Sequence, residues 1–156
     1  MLNAADQLIF KQFMQFHINE GSFTLPGGIQ DNSMNMLLTG SSGLNLSLIM
    51  TRDRLEAGET FDQFVERQIK AVTLQVSDYR IGERHVQKSQ DSAETTAVEL
   101  AQQFKQNGQT IYQRQRTWLL PDRVRVLVMT GASTVPITET QKKQWASICA
   151  SFQPRT

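Results

Sequence analysis

The residues with the most chemistry in this chain are two histidines, one cysteine, a GSSG tetrapeptide and a group of arginines. His17 and His85 stand on strand-like segments with no i, i+4 partner and no Cys/His spacing, so they read as surface or hydrogen-bonded histidines rather than metal ligands. Residues 40–43 are neither a G-x-S-x-G elbow nor a phosphate loop, because no Lys-Ser/Thr follows and the flanks are strand-like; they read as a turn. Cys149 falls on the apolar stripe of a C-terminal helix, which suits a small buried hydrophobe better than a nucleophile. No acid/base pair is visible. The expectation is a protein that is not an enzyme and carries no cofactor and no metal.

Arg114, Arg116, Arg123 and Arg125 lie beside Tyr112 and Trp118, a composition that also occurs on nucleic-acid-binding faces. The register argues otherwise. If Asn107-Gly108 is a two-residue hairpin turn, Gln106 pairs with Gln109 and Glu99 falls opposite Arg116, as a solvated cross-strand ion pair would. With a formal net charge of +1, no nucleic-acid partner is expected.

That register also puts Val98, Leu100, Gln102 and Phe104 on one face with Ile111, Gln113, Gln115 and Thr117. Glutamines therefore intrude on an apolar side. The segment ETFDQFVERQIKAVTLQV repeats the pattern, since at about 100° per residue Gln68 falls within the arc of Phe61, Phe64, Val65 and Val72. LNLSLIMTRD, residues 44–53, would send Leu44, Leu46, Leu48 and Met50 to the core. Asn45, Ser47, Ile49 and Thr51 go to a second face of mixed character. Met34 and Met36 share a face of the preceding strand. A buried amide left unpaired costs about 1–3 kcal/mol. These glutamines therefore either sit at the rim of the core, bonded to backbone or water, or belong to a groove that is apolar with amide and hydroxyl donors spaced through it.

The elements that must position these residues follow from periodicity. Residues 1–12 form an N-terminal arm, helical or disordered, and residues 13–156 a single domain. Residues 13–19 are strand-like, and GSFTLP continues extended until Pro26, Gly27 and Gly28 break it. Residues 33–39 and 44–51 read as a hairpin around the loop at 40–43. Thr60 and Gln63 fit a capping box opening the first helix. Strands are expected over 79–87, 95–105, 109–120 and 124–130, with Pro121-Asp122 as a turn. A last helix opens on a second capping box, Thr138 and Gln141, and carries Trp145, Ile148, Cys149 and Phe152 on one side. The order points to an α+β domain, an antiparallel sheet with two main helices packed on it. One cysteine in 156 residues fits a reducing compartment. MLNAADQLIFKQFMQF does not read as a secretory signal, and no window is long and apolar enough to span a membrane. A cytoplasmic location without direct membrane insertion is expected.

The succession NEGSFTLP, DNSMNMLL, LSLIMTRDRLEAGETFDQFVERQ, IYQRQ, LLPD and QKKQWASICASF resembles the Eag chaperones of bacterial type VI secretion, DcrB-like proteins of Mog1/PsbP-like fold. The resemblance runs from about Phe16 to Pro154. It implies a cytoplasmic homodimer that holds the N-terminal transmembrane region of a cognate effector before export. Carried over by motif position, it implies groove contacts at Met34, Met36, Ser47, Ile49, Thr51, Gln68 and Gln113. The chain departs from the pattern at its extra N-terminal residues and at Arg123, where a glycine often completes the turn after LLPD. The alternative is a protein-binding module docking on a folded regulatory partner through its charged face.

Overall fold

The structure, a computed structural model, describes residues 12–155. The arm expected over 1–12 lies outside the described residues, save for Gln12. Where a single domain was expected from residue 13, the chain divides into two compact units at Asp31/Asn32.

The first unit is a hairpin. β1 (Phe13–Ile18) pairs antiparallel with β2 (Gly21–Pro26) as a two-stranded sheet, Ile18 opposite Gly21 and Phe13 opposite Pro26. The expected continuous extension through GSFTLP is therefore corrected: the chain reverses at Asn19-Glu20, and a turn without glycine inside it left no strong signal. One hairpin face is zipped by polar pairs. Gln15 Nε2 donates to Thr24 Oγ1 at 2.8 Å, and His17 Nδ1 meets Ser22 Oγ at 2.6 Å.

The second unit holds a six-stranded antiparallel sheet in the order β3-β4-β8-β7-β6-β5. Its strands are β3 (Asn35–Leu37), β4 (Ser47–Arg54), β5 (Ser77–Lys88), β6 (Thr95–Gln106), β7 (Gln109–Leu119) and β8 (Arg125–Ser133). The helices are α1 (Phe61–Thr73) and α2 (Glu139–Ala150). Both capping boxes close as expected: Thr60 Oγ1 accepts from Gln63 N and Gln63 Oε1 from Thr60 N, and Thr138 and Gln141 repeat the exchange. Each cap satisfies amides that would otherwise have no partner at a helix start, for about 1 kcal/mol.

Alternation sorts the strands into two faces, and each helix takes one. Phe61, Phe64 and Val65 of α1 pack on Val98, Leu100 and Val126. Trp145 and Cys149 of α2 pack on Leu44, Leu46, Leu48 and Met129 from the opposite side. Leu44, Leu46 and Leu48 are core as expected, but the strand does not begin until Ser47. Asn45 has φ 55° and interrupts the extended chain. The carbonyls of Leu44 and Asn45 are taken by Gln141 Nε2 at 2.9 and 3.4 Å, so the capping residue of α2 also anchors the helix to this loop. Trp145 needs close approach to the sheet: a Cβ at Gly131 would lie 2.8 Å from its ring.

Candidate functional site

The register answers whether the singled-out residues converge. Met36 pairs with Ile49, Ile49 with Thr130, Thr130 with Gln115 and Gln115 with Leu100. Ser47 pairs with Ala132, Ala132 with Gln113 and Gln113 with Gln102. Directly opposed residues share a face, so Met36, Ser47, Ile49, Thr51 and Gln113 lie on one side of the sheet with Leu100, the side on which α1 packs. The helix covers the part of that side marked by Val98, Leu100 and Val126. Beyond it, Met36, Ser47 and Ile49 line a concavity of about 570 Å³ with Ile111, Ala132 and Val135.

Thr51 and Gln68 line a second, smaller space of about 170 Å³ beneath α1, with Gln115 and Thr117. Gln68 Nε2 donates to Asp53 Oδ2 at 3.3 Å, which ties the helix flank to β4. Met34 precedes β3 and joins neither concavity. It is exposed, as is Met36.

The glutamines form a graded series. Gln102 is buried; its Nε2 donates to Gln113 Oε1 at 2.8 Å, and its Oε1 accepts from the hydroxyl of Tyr79 at 2.5 Å. Burial raises the pKa of that phenol, which keeps it a donor. Gln115 Nε2 donates to Thr130 Oγ1 at 3.1 Å. Gln113 is half-buried, and its amide N–H groups find no acceptor among the described residues. A donor held in place by a neighbour and left with unused N–H groups on a partly apolar face suits a partner carrying its own carbonyl or hydroxyl groups. Gln102, Gln115, Ile111 and Val135 were not among the residues first assigned to the groove. The hairpin register already set the first three on this side, whereas nothing in the sequence pointed to Val135.

The opposite face corrects the electrostatic expectation. Glu99 lies opposite Arg116, and Gln106 opposite Gln109, as the Asn107-Gly108 turn required. The pair is not solvated, however, because α2 covers it. Glu99 is 9% and Arg114 7% exposed. Glu99 Oε2 accepts from Arg114 at 3.1 Å, its Oε1 accepts from Trp145 Nε1 at 3.2 Å, and Arg116 stands at 3.6 Å. Arg114 also reaches Glu83 at 3.3 Å, and Glu83 in turn meets His85 at the same distance. Those two contacts hold the Glu83 carboxyl below its usual pKa. Of the four arginines that suggested a docking face, Arg114 and Arg116 are thus drawn into the fold, whereas Arg123 and Arg125 stay exposed in surface pairs with Glu94 and Asp122.

Residues 20–151 match the DcrB family model. The chain belongs to the DcrB family. The DcrB match takes in β2, the whole six-stranded sheet and both helices, so it includes every residue assigned to the open face. Among solved structures the chain is similar to PA94 of Pseudomonas aeruginosa, a protein of unknown function described as a candidate regulator. The TM-score is 0.74 at 22% identity, over 93% of this chain and 99% of that one. At that identity the likeness concerns the fold, an α+β arrangement of two helices on an antiparallel sheet. No curated protein matches the chain. Among the described residues no helix is long and apolar enough to cross a membrane.

Proposed function

We propose that this DcrB-family protein is a cytoplasmic chaperone, not an enzyme, that binds and shields the N-terminal transmembrane helices of a type VI secretion effector before export, working as a homodimer. The observation that carries the reading is the open part of the α1-side face. There Met36, Ile49 and Ile111 are interspersed with Ser47, Thr130 and Gln113 on hydrogen-bonded strands, and the Gln113 amide has hydrogen-bonding capacity to spare. A membrane helix of about 20 residues exposes a continuous apolar surface in water and aggregates or inserts into the nearest bilayer. An apolar face with spaced amides and hydroxyls replaces lipid while imitating the polar contacts between membrane helices, each worth about 0.6–2 kcal/mol.

The charged-face alternative is weakened by the burial of Arg114 and its pairing with Glu99, which take two of the charges it relied on out of reach of a partner.

Ile49→Glu tests the site. Ile49 is half-buried and borders the concavity, so a carboxylate there reaches water. The empty variant is expected to fold and to lose co-purification with an effector's N-terminal segment. Gln68→Ala removes an amide that Asp53 already engages beneath α1, outside the open concavity, and is expected to leave capture within about twofold of wild type. Deleting the effector's N-terminal helices abolishes capture and deleting its toxin domain does not. The reverse deletion pattern, or normal binding by a folded Ile49→Glu, refutes the reading.

A further inference from the structure

The two edges of the six-stranded sheet are built on opposite plans. β5, at one edge, runs twelve residues and is interrupted by register shifts between Ser77 and Arg80, between Ile81 and Arg84, and between Gln87 and Lys88. It carries Arg80, Glu83, Arg84, His85 and Lys88. Bulges and charges are the devices by which natural sheets refuse a further strand. β3, at the other edge, has neither. It pairs with β4 in unbroken register, and the stretch around it, Met34-Asn35-Met36-Leu37-Leu38, holds no charge and no proline. Met34 and Met36 are each 62% exposed and Leu38 is 91% exposed. Among the described residues no strand lies beyond β3 in this sheet, so among them one row of its backbone groups is unpaired by any ladder.

We propose that the β3 edge is a strand-addition site for an extended, uncharged segment of a partner polypeptide with apolar residues at alternate positions. Backbone bonds to β3 would set its register. The concavity that Met36, Leu37 and Leu38 border, with Ile49, Ile111 and Val135, would receive its alternate side chains. A second copy of this chain fits less well. β3 contributes only three residues, and two such strands laid edge to edge fall far short of the roughly 1,200 Å² that a stable interface buries. An extended peptide gains from the edge and the concavity together. This goes beyond helix binding, since it assigns a different conformation and different backbone chemistry to the occupant.

The test uses the unmodified protein and the hexapeptide Thr-Val-Thr-Ile-Thr-Val, acetylated, amidated and carrying a terminal fluorophore. Two further versions are methylated on the backbone nitrogens of odd or of even residues. A strand at a sheet edge turns only alternate amides toward its neighbour. One methylated version is therefore expected to lose binding by tenfold or more while the other stays within about twofold of the parent. Amide exchange over residues 34–38 slows with the parent peptide. Equal loss in both versions, equal retention in both, or no binding of the parent at millimolar concentration overturns the proposal. Exchange over 34–38 that slows with protein concentration alone assigns the edge to a second copy and equally overturns it. Each result is independent of the Ile49→Glu capture experiment, so failure here leaves the helix-binding reading to stand or fall on its own.

Discussion

Replacing Glu99 by Ala should be among the most damaging single changes in the sheet, although nothing in the side chain is apolar. Glu99 neutralises Arg114, which is 7% exposed, and accepts the indole N–H of Trp145, the most deeply buried side chain of α2. Removing one partner of a buried ion pair costs about 3–5 kcal/mol, because the other charge stays in a medium that solvates it poorly. Glu83, half-exposed and 3.3 Å from Arg114, offsets part of that loss, whereas the stranded Trp145 N–H adds to it. For a chain of this length each kcal/mol moves the melting temperature by about 2–4 °C, so a fall of roughly 6–20 °C is expected. Glu99→Gln keeps an acceptor for Trp145 and loses only the charge, which places it between wild type and Ala. Adding Arg114→Met to Glu99→Ala removes the orphaned cation and should recover a large share of the loss. Urea titrations of these four proteins and of Arg114→Met alone, with m-values checked for constancy, measure the coupling through a double-mutant cycle. A Glu99→Ala midpoint within about 3 °C of wild type, or a double variant no more stable than the single one, would show that the pair is solvated and that α2 does not seal this face.

Three further outcomes follow from the same packing. Gly131→Ala brings a methyl within 2.8 Å of the Trp145 ring, and overpacking of this kind should cost about 1–3 kcal/mol in urea. Asp122 has its pKa lowered to about 2, first by the backbone N–H of Arg125, then by the Arg125 guanidinium and the N–H of Val124. A depressed pKa gives stability that is fully present above the unfolded value near 3.9 and is lost as pH falls through about 2. Asp122→Asn should therefore flatten the acid limb of the stability curve between pH 4 and 2 while leaving its shape near neutrality unchanged. Cys149 has its thiol pushed up to about 12, chiefly by burial and secondarily by Glu99. At pH 8 the native protein should react with a disulfide reagent far more slowly than the urea-unfolded chain, and equal rates would place the thiol at the surface.

What the sequence revealed depended on the range over which its signals act. The capping boxes at Thr60 and Thr138 operate within three residues, and both formed. The Asn107-Gly108 turn set the β6–β7 register over ten residue pairs, because a two-residue hairpin admits one alignment. The turn at Asn19-Glu20 had no comparable marker, and the left-handed Asn45 that delays β4 until Ser47 looked like one more alternating residue. The bulge at Gly82-Glu83, which sets Glu83 toward Arg114, left only the glycine as a trace.

The largest error came from parity. Alternation assigned Glu99, Arg114 and Arg116 correctly to one face, and the usual inference sent a charged face to water. Whether a face is wet depends on strands that are distant in sequence: Leu48, Met50 and Met129 share that face through β4 and β8, and they bring α2 down over it. No local pattern carries a β4–β8 pairing across the 70 residues between the two strands. The same long-range pairing brought Met36, Ser47 and Ile49 into line with Gln113. Sequence could name these residues as misfits one at a time, since each is either too polar for a core or too apolar for a surface. Only the order β3-β4-β8-β7 makes the misfits neighbours, and their adjacency on paired strands is what turns separate oddities into one surface.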